Sequence, residues 1–214
     1  RVASLVGENV ELLIDDTWVT LREAMMGFAG AVGLAALLAL LFSRFRLAER
    51  GLMPYLIAFQ SVPVVAIAPL LALWCGTGML GKAILAGLIG FFPAAVNFGR
   101  GLRAVDPDAV ALMRSLSASA AQIIFRLRVP SSLPFAFVGL RLAATMSVIG
   151  ALVAEISGAE RGIGFRIVVS TYRTDTAMLF AALLFAVLMG LASYGAIVAA
   201  ERLALRGRPI DPHA

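Results

Sequence analysis

Five apolar runs, each about 20 residues long, dominate this 214-residue chain. They cover residues 21–42, 52–74, 80–98, 133–153 and 177–200. A helix of that length matches the hydrocarbon core of a bilayer, where only helices and closed barrels satisfy all backbone hydrogen bonds. Charged residues make up 14% of the chain, against about 25% in soluble domains. The sequence therefore predicts an all-α, polytopic membrane protein with five spans.

The segments outside these runs are short. Residues 1–20 mix acidic and apolar side chains around Trp18, which is typical of a helix at the membrane interface. The membrane domain is then expected to cover residues 21–205, and residues 206–214 form a polar cytoplasmic tail. Three prolines interrupt the second run, at Pro54, Pro63 and Pro69. We expect a kink at each of them.

Three glycines, Gly27, Gly30 and Gly33, recur at a three-residue spacing in the first run. Small residues on one side of a membrane helix let a second helix approach closely. Membrane helices are also generally rich in glycine. The pattern therefore indicates either a packing face or ordinary membrane composition.

One polar stretch, residues 106–130, separates the third run from the fourth. Asp106 is a favourable N-cap and Pro107 suits a first helical turn, and apolar residues follow at helical spacing. We expect Pro130 and Pro134 to end this helix. The stretch is therefore a helical insert in water at the membrane edge, or an amphipathic connector that lies on the lipid surface.

The positions of the basic residues predict the orientation. Most of the 18 Lys and Arg residues lie in or beside three stretches, namely the turn at 43–50, the insert and the tail. Segments rich in Lys and Arg stay in the cytoplasm, and the alternation of spans places these three on one side. Residue 1 then lies outside the cytoplasm. This asymmetry explains the net charge of +5, so no nucleic-acid partner is expected.

Few side chains within the runs are polar, and the centres of the spans carry no carboxylate. Transport driven by protons or sodium ions usually depends on such carboxylates, so it is disfavoured. The polar groups either line a pathway or hydrogen-bond between helices. They are Gln60, Ser61, Asn97, Thr145, Ser147 and, at the end of a span, Glu155.

The chain has few residues whose side chains could catalyse a reaction or bind a metal. Its single Cys excludes an internal disulfide and a metal site built from cysteine, and one His leaves no nucleophile–base pair. A segment that resembles a phosphate loop, GTGMLGKA (76–83), has Ala83 where a hydroxyl must reach Mg²⁺, and it follows a membrane helix rather than a strand. We expect no enzyme activity, no metal site and no cofactor in this chain.

Part of the insert resembles a cytoplasmic motif in the membrane subunits of ABC importers that work with a periplasmic binding protein. That motif reads Glu-Ala-Ala, three residues, Gly, nine residues, Ile-x-Leu-Pro. With Pro130 aligned to the final Pro, Leu127 and Val129 take the Ile and Leu positions, and Ser117 takes the Gly position. Residues 111–113, which are Ala-Leu-Met, take the Glu-Ala-Ala positions, so this chain lacks the Glu and the Gly of the motif.

The likeness extends over most of residues 20–205. It resembles the branch of the family that handles nitrate, sulfonates, taurine and precursors of thiamin or flavins. The segments that carry it are SVPVVAIAPLLALWCGTG (61–78), GFFPAAVNFGRGLRAVDPD (90–108), PSSLPFAFVGLRLA (130–143) and VAEISGAERGIGF (153–165). This resemblance implies the type I ABC importer permease fold. The family normally has six spans, so a sixth is expected before residue 1.

The resemblance also implies a function in the bacterial inner membrane. The chain would form the translocation path for a small solute, which could be a sulfonate, nitrate, taurine or a pyrimidine or flavin type of compound. Its partners would be the lipid bilayer, an ATP-binding cassette ATPase dimer that binds ATP and Mg²⁺, a second copy or paralogue of the permease, and a periplasmic solute-binding protein.

The same resemblance assigns contact with the ATPase to eight residues of the insert: Ala111, Leu112, Met113, Arg114, Ser115, Leu116, Ser117 and Ala118. The absence of the motif's Glu at position 111 leads to the hypothesis that this chain is the weaker half of a heterodimer. A secondary transporter or channel that works alone, and a purely structural membrane partner, are the alternatives.

Overall fold

The computed structural model describes residues 2–206, which form helices joined by short turns. In chain order the helices are α1 (Val2–Arg44), α2 (Arg46–Gln60), α3 (Val64–Cys75), α4 (Met79–Arg103), α5 (Pro107–Ser115), α6 (Ala120–Ile123), α7 (Val129–Ile156), α8 (Ile163–Tyr172) and α9 (Thr176–Ala204). A π-helical segment, Ile124–Arg128, joins α6 to α7. No strand occurs within residues 2–206, which confirms the predicted all-α class.

Four stretches of helix in the described part of the chain are long and apolar enough to cross a membrane: Val10–Arg44, Met79–Arg103, Ala120–Ile156 and Thr176–Ala204. They confirm a polytopic membrane protein. The predicted runs 80–98 and 177–200 lie inside the second and the fourth of these stretches. The other three predicted spans differ from the structure in their bounds or in their continuity.

The first run belongs to a much longer helix than the sequence predicts. α1 continues without a break from Val2 to Arg44, so the separate interfacial helix predicted at 1–20 is wrong. No Gly or Pro occurs between residues 8 and 26, and the chain therefore has no residue there that would end a helix. The acidic side chains that indicated a water surface are in part buried against other helices, as Asp16 is.

The second run is divided into two helices. Pro63 adopts an extended conformation between α2 and α3. The chain breaks here because a proline disfavours helical dihedral angles in the residue before it, Val62. The interruption predicted at Pro63 is confirmed, but the continuous span predicted at 52–74 is wrong. Pro54 and Pro69 lie inside α2 and α3 and do not end either helix.

The fourth span begins earlier than predicted. α6, the π-helical segment and α7 form one helical rod, Ala120–Ile156, so the predicted start at residue 133 is wrong and neither Pro130 nor Pro134 ends a helix. Pro130 lies in the first turn of α7, where a missing N–H is tolerated. The π-helical segment before it locally rearranges the backbone hydrogen bonds. The insert predicted at 106–130 therefore stops at Ser119.

α4 lies at the centre of the bundle, against α1 on one side and α7 on the other. Its crossing with α1 is close because both helices carry glycine at the contact. A Cβ atom added to Gly27 of α1 would lie 2.6 Å from the backbone nitrogen of Gly87 on α4. Gly30 and Gly33 face open space. Of the three glycines in the predicted series, Gly27 alone is a packing position.

Candidate functional site

The insert begins with a well-capped helix, α5. The side chain of Asp106 accepts a hydrogen bond from the backbone N–H of Asp108 (2.9 Å), and Pro107 takes the first helical position. This confirms the N-terminus that the sequence predicts. No residue of α5 is buried, so the helix projects from the bundle.

α5 ends in a turn centred on Ser117, which has a φ of +58°. The N–H of Ser117 donates to the carbonyl of Arg114 (2.9 Å), and the N–H of Ala118 donates to the carbonyl of Met113 (3.0 Å). These two bonds form a Schellman motif, whose central residue is left-handed and is usually glycine. Ser117 is the residue that aligns with the Gly of the family motif. The backbone conformation typical of glycine is therefore kept here although serine occupies the position.

All eight residues predicted to contact an ATPase lie together on this segment. Two of them, Met113 and Ala118, are half-buried. The other six are exposed: Ala111, Leu112, Arg114, Ser115, Leu116 and Ser117. Leu112 and Leu116 are 62% and 72% exposed. They are four residues apart, so they share one face of the helix, and exposed apolar side chains that adjoin one another indicate a protein contact. The contact itself stays a prediction.

The segment after the turn connects the insert to the bundle. Ser119 and Gln122 form a capping box at the start of α6, and the helical rod then continues into α7. Nη1 of Arg128 donates to the carbonyl of Ser43 (3.3 Å), in the last turn of α1. A cation at this end of a helix also interacts favourably with the helix dipole. The insert is thus tied covalently to α7 and through Arg128 to α1.

A groove of about 420 Å³ lies between α3, α4 and α7. Ile67, Phe92, Asn97 and Met146 line it, together with further apolar residues of these helices and of the turn before α3. Nδ2 of Asn97 donates to the carbonyl of Pro93 (2.8 Å). No charged residue is among the lining residues, so the groove offers an amide but no counter-charge.

The other pathway candidates do not gather in this groove. Those with described side chains are Ser61, Thr145, Ser147 and Glu155. Ser61 is exposed in the turn between α2 and α3, the hydroxyl of Thr145 donates to a carbonyl of its own helix, and Ser147 is fully buried. The side chain of Gln60 lies outside the described residues. A pathway role for this set of residues stays a prediction.

A cluster of buried and half-buried polar side chains lies at the opposite end of the rod from the insert. Its members are Asp16, Thr20, Glu23, Lys82, Glu155 and Arg166. We call this cluster the polar clasp. Three of its members follow one another on α1 at spacings of four and three residues, and they therefore form one stripe of that helix. The stripe faces α4, α7 and α8.

Glu155 sits at the middle of the polar clasp and is 1% exposed. Its Oε1 accepts a hydrogen bond from the hydroxyl of Thr20 (2.7 Å), and its Oε2 accepts one from the backbone N–H of Gly164 (2.6 Å). Both carboxylate oxygens are therefore bonded inside the protein. Glu155 joins α7 to α1 and α8 and does not line the groove.

The N-terminus of α8 is bound by side chains from other helices. Its own N-cap residue, Gly162, has no side chain to offer. The backbone N–H groups of residues 162–164 donate in turn to Asp16, Thr20 and Glu155, at 3.2, 2.9 and 2.6 Å. A helix leaves these first N–H groups without intrahelical partners, and negative side chains here are also favoured by the helix dipole.

Two ion pairs complete the polar clasp. Nε and Nη2 of Arg166 on α8 donate to Oδ2 of Asp16, at 2.8 and 2.6 Å. Nζ of Lys82 on α4 donates to Oε1 of Glu23 (2.7 Å). The exposed fractions of the Lys82 and Glu23 side chains are 12% and 3%, so this pair is shielded from water. One stripe of α1 is therefore bonded to α4, α7 and α8.

Two glycines make room for the carboxylate of Glu155. Gly162 has a φ of +113°, a conformation that other residues rarely adopt, and a Cβ atom there would overlap the carboxylate. A Cβ atom on Gly164 would lie 2.5 Å from the carbonyl oxygen of Leu152. The sequence Gly-Ile-Gly at the start of α8 is thus required by the shape of the polar clasp.

Sequence reasoning singles out Glu155 and misses the other members of the polar clasp. The signal that could have found them is the spacing of Asp16, Thr20 and Glu23, which places all three on one face of a helix. That signal is informative only when a single helix is known to run through all three positions. The predicted boundary between residues 20 and 21 separates them.

Comparisons with known proteins identify the family. Residues 31–204, more than half of the chain, match the family described as binding-protein-dependent transport system inner membrane component. The chain is 35% identical to the probable ABC transporter permease protein of Haemophilus influenzae over 189 residues, which are 88% of this chain and 77% of that protein.

Two further relatives are named for what they transport. The formylaminopyrimidine transport permease protein ThiX of Halalkalibacterium halodurans is 35% identical, over 88% of this chain and 76% of the relative. The riboflavin transport system permease protein RibX of Chloroflexus aurantiacus is 33% identical, over 91% of this chain and 73% of the relative.

Solved structures share the fold. A chain of the inward-facing MetNI methionine ABC transporter superposes with a TM-score of 0.80 at 16% identity, covering 92% of this chain and 97% of its own. A chain of an amino acid ABC transporter gives 0.73 at 18% identity, covering 94% and 98%. The apolar spans, the family match and the relatives above 30% identity lead to one conclusion: this chain belongs to the binding-protein-dependent transport system inner membrane components, the multi-pass permease subunits of ABC importers in the bacterial inner membrane.

Proposed function

We propose that this permease forms the path for a small solute delivered by a periplasmic binding protein, and that an ATPase dimer drives it through the turn at Ser117. A second permease chain, identical or paralogous, completes the path. ATP and Mg²⁺ bind to the ATPase and not to this chain. The observation that carries the proposal is the exposed turn of residues 111–118, which is held in a left-handed conformation at the end of the α7 rod.

The way the turn is connected supports a role in transmitting force. α5 is capped at both ends, and the turn leads into a helical rod of 37 residues that includes α7. Arg128 ties the same rod to the end of α1. When the ATPase closes on ATP and displaces the turn, α7 and α1 move together, and the permease rocks between inward-facing and outward-facing states.

The groove beside Asn97 bears on the class of solute. A charged group that enters this apolar lining loses its hydration and finds no counter-charge. The groove, as part of the path, therefore favours an uncharged ring compound of the pyrimidine or flavin type over a sulfonate, nitrate or taurine. The names of ThiX and RibX support this choice. A relative named for aliphatic sulfonates, SsuC of Bacillus subtilis, is 29% identical.

The proposal is tested by reconstituting the permease in proteoliposomes with the ABC ATPase and the solute-binding protein that co-purify with it. We expect accumulation of radiolabelled formylaminopyrimidine or riboflavin that requires both ATP and the binding protein. Accumulation of an alkanesulfonate instead would contradict the solute class. Uptake without the ATPase would show that the chain is a secondary transporter or channel. If none of these solutes is taken up, the remaining alternative is a purely structural membrane partner.

Ser117→Trp tests the place of the ATPase contact. A bulky ring on the exposed turn blocks close approach of a partner but meets nothing inside the bundle. We expect uptake per ATP to fall and the affinity of the permease for the ATPase to drop about tenfold or more, which corresponds to the loss of about 1.4 kcal/mol of contact energy. The control is Thr174→Trp. Thr174 is also exposed and left-handed, with a φ of +54°, but it follows α8 at the other end of the rod. Because Thr174 adjoins the exposed end of α8, the two variants are compared by their affinity for the ATPase in the absence of the binding protein. An equal loss of ATPase affinity in both would refute the proposed contact.

A further inference from the structure

The polar clasp fixes α8 to two helices at once. Asp16 binds both the N–H of residue 162 and the guanidinium of Arg166. Thr20 accepts from the N–H of residue 163 and donates to Glu155. The hydrogen bonds therefore form one connected network, and those that involve Thr20, Glu155 and the backbone of α8 are buried. α8 cannot separate from α1 or α7 without leaving several buried polar groups unpaired, which is strongly unfavourable.

The far end of α8 is exposed. Tyr172 is 86% exposed, and its neighbours Thr171 and Arg173 are exposed as well. α7 runs from the insert at one end to the α8 segment at the other, so this surface lies on the face opposite the turn at Ser117. Tyr and Arg are enriched in protein–protein contacts. The family is defined by its dependence on a binding protein, which meets the permease on the side where solute arrives.

We infer that Asp16, Thr20 and Glu155 are positioning residues that hold α8 in the orientation in which the permease receives its solute-loaded binding protein. This inference rests on the proposed function. The three residues touch neither the solute nor the binding protein. They act through α8, whose exposed end makes the contact, and their loss therefore weakens reception of the binding protein without disabling the ATPase.

The test is a titration of ATPase activity with the loaded binding protein, using the complete permease–ATPase complex in nanodiscs. Thr20→Val removes one donor and one acceptor from the network and keeps the size of the side chain. We expect the half-saturating concentration of binding protein to rise about fivefold, the effect of losing a hydrogen bond worth about 1 kcal/mol. The maximal ATPase rate is expected to stay near that of the wild type. Thr20→Ser keeps the hydroxyl and is expected to restore the half-saturating concentration.

Three further variants test whether a change in the half-saturating concentration comes from the polar clasp and from the exposed end of α8. Asp16→Asn is expected to act in the same direction as Thr20→Val. Asp15→Asn is the control, because Asp15 is the adjacent acid of α1 but its side chain is 72% exposed and lies 3.9 Å from Arg161 outside the clasp. Tyr172→Ala is expected to raise the half-saturating concentration as well. A normal titration by Thr20→Val or by Tyr172→Ala overturns the inference, and so does an equal effect of Asp15→Asn.

A measurement on the wild-type complex tests the inference even when a variant fails to assemble. Hydrogen exchange at the amides of residues 162–164 is followed without nucleotide and with a trapped ATP state. We expect these amides to stay protected in both states, because α8 moves with α1 and α7. Loss of protection in either state overturns the inference. If the wild type instead shows no ATPase response to any binding protein, the proposed function fails, whereas protected amides still show that the clasp persists.

Discussion

Ser117→Gly tests whether the turn at the tip of the insert carries backbone strain. A residue other than glycine in the left-handed region costs about 1–2 kcal/mol, and Ser117 has a φ of +58°. Glycine loses more backbone entropy on folding, which opposes the gain by about 0.5–1 kcal/mol. The side chain of Ser117 is exposed, so little packing is lost with it. The net effect is a turn stabilised by about 0.5–1 kcal/mol.

Hydrogen exchange at the amide of Ala118 reports this change directly. That N–H donates to the carbonyl of Met113 across the turn (3.0 Å), so it exchanges only when the turn opens. We expect exchange in the Ser117→Gly permease to be about two to five times slower than in the wild type, which corresponds to 0.5–1 kcal/mol. The measurement needs the permease alone, in nanodiscs.

Thr174→Gly is the matched control for this experiment. Thr174 has a φ of +54°, and the N–H of Asp175 donates to the carbonyl of Ser170 (2.9 Å) in the same pattern. We expect Thr174→Gly to slow exchange at Asp175 by a similar factor and to leave Ala118 unchanged. If Thr174→Gly has its effect and Ser117→Gly has none, the strain assigned to the insert is refuted.

Three further predictions concern the helices that connect the two ends of the molecule. Gly27→Ala places a Cβ atom 2.6 Å from the backbone of α4 and is expected to lower stability by about 1–3 kcal/mol in thermal unfolding, whereas Gly30→Ala, which faces open space, is expected to be neutral. Lys82→Met leaves the carboxylate of Glu23 buried without its cation and is expected to cost about 3–5 kcal/mol; adding Glu23→Gln should recover much of the loss. Arg128→Met breaks the tie to α1 and is expected to lower uptake per ATP while ATPase activity continues, and Arg128→Lys, which keeps the charge, should lie between Arg128→Met and the wild type.

Local chemistry decided which features could be predicted from the sequence. Asp106 and Pro107 form a helix start by interactions within a few residues, and the structure confirms that start. The apolar runs at 80–98 and 177–200 are spans for the same reason, since hydropathy over one window is enough. The break at Pro63 follows from a steric rule about the preceding residue. None of these features depends on a distant part of the chain.

The features that the sequence analysis predicted wrongly depend on residues or backbone geometry elsewhere in the structure. Pro130 stays within a helical rod because a π-helical segment precedes it, and no local signal predicts that segment. Pro134 also lies inside α7. Considered alone, the acidic residues of α1 predict a helix surface that faces water. In the structure, Asp16 and Glu23 find cations more than 50 positions away in the sequence, and buried charges are stable only when such partners exist. The spacing of these acids along α1 predicts that they share one face of the helix, but it does not predict which residues pack against that face.

The two ends of the molecule are mechanically linked by a pair of helices rather than by one. α1 and α7 are joined at the insert by Arg128 and the carbonyl of Ser43, and at the clasp by Thr20 and Glu155. If α7 slid along α1, at least one of these bonds would break, and the bond at the clasp is buried. A displaced insert therefore rotates α1 and α7 as one unit and carries α8 with them. If a second permease chain completes the path, as proposed, the change of access that this motion produces occurs where the two chains meet, because the helices within this chain keep their contacts.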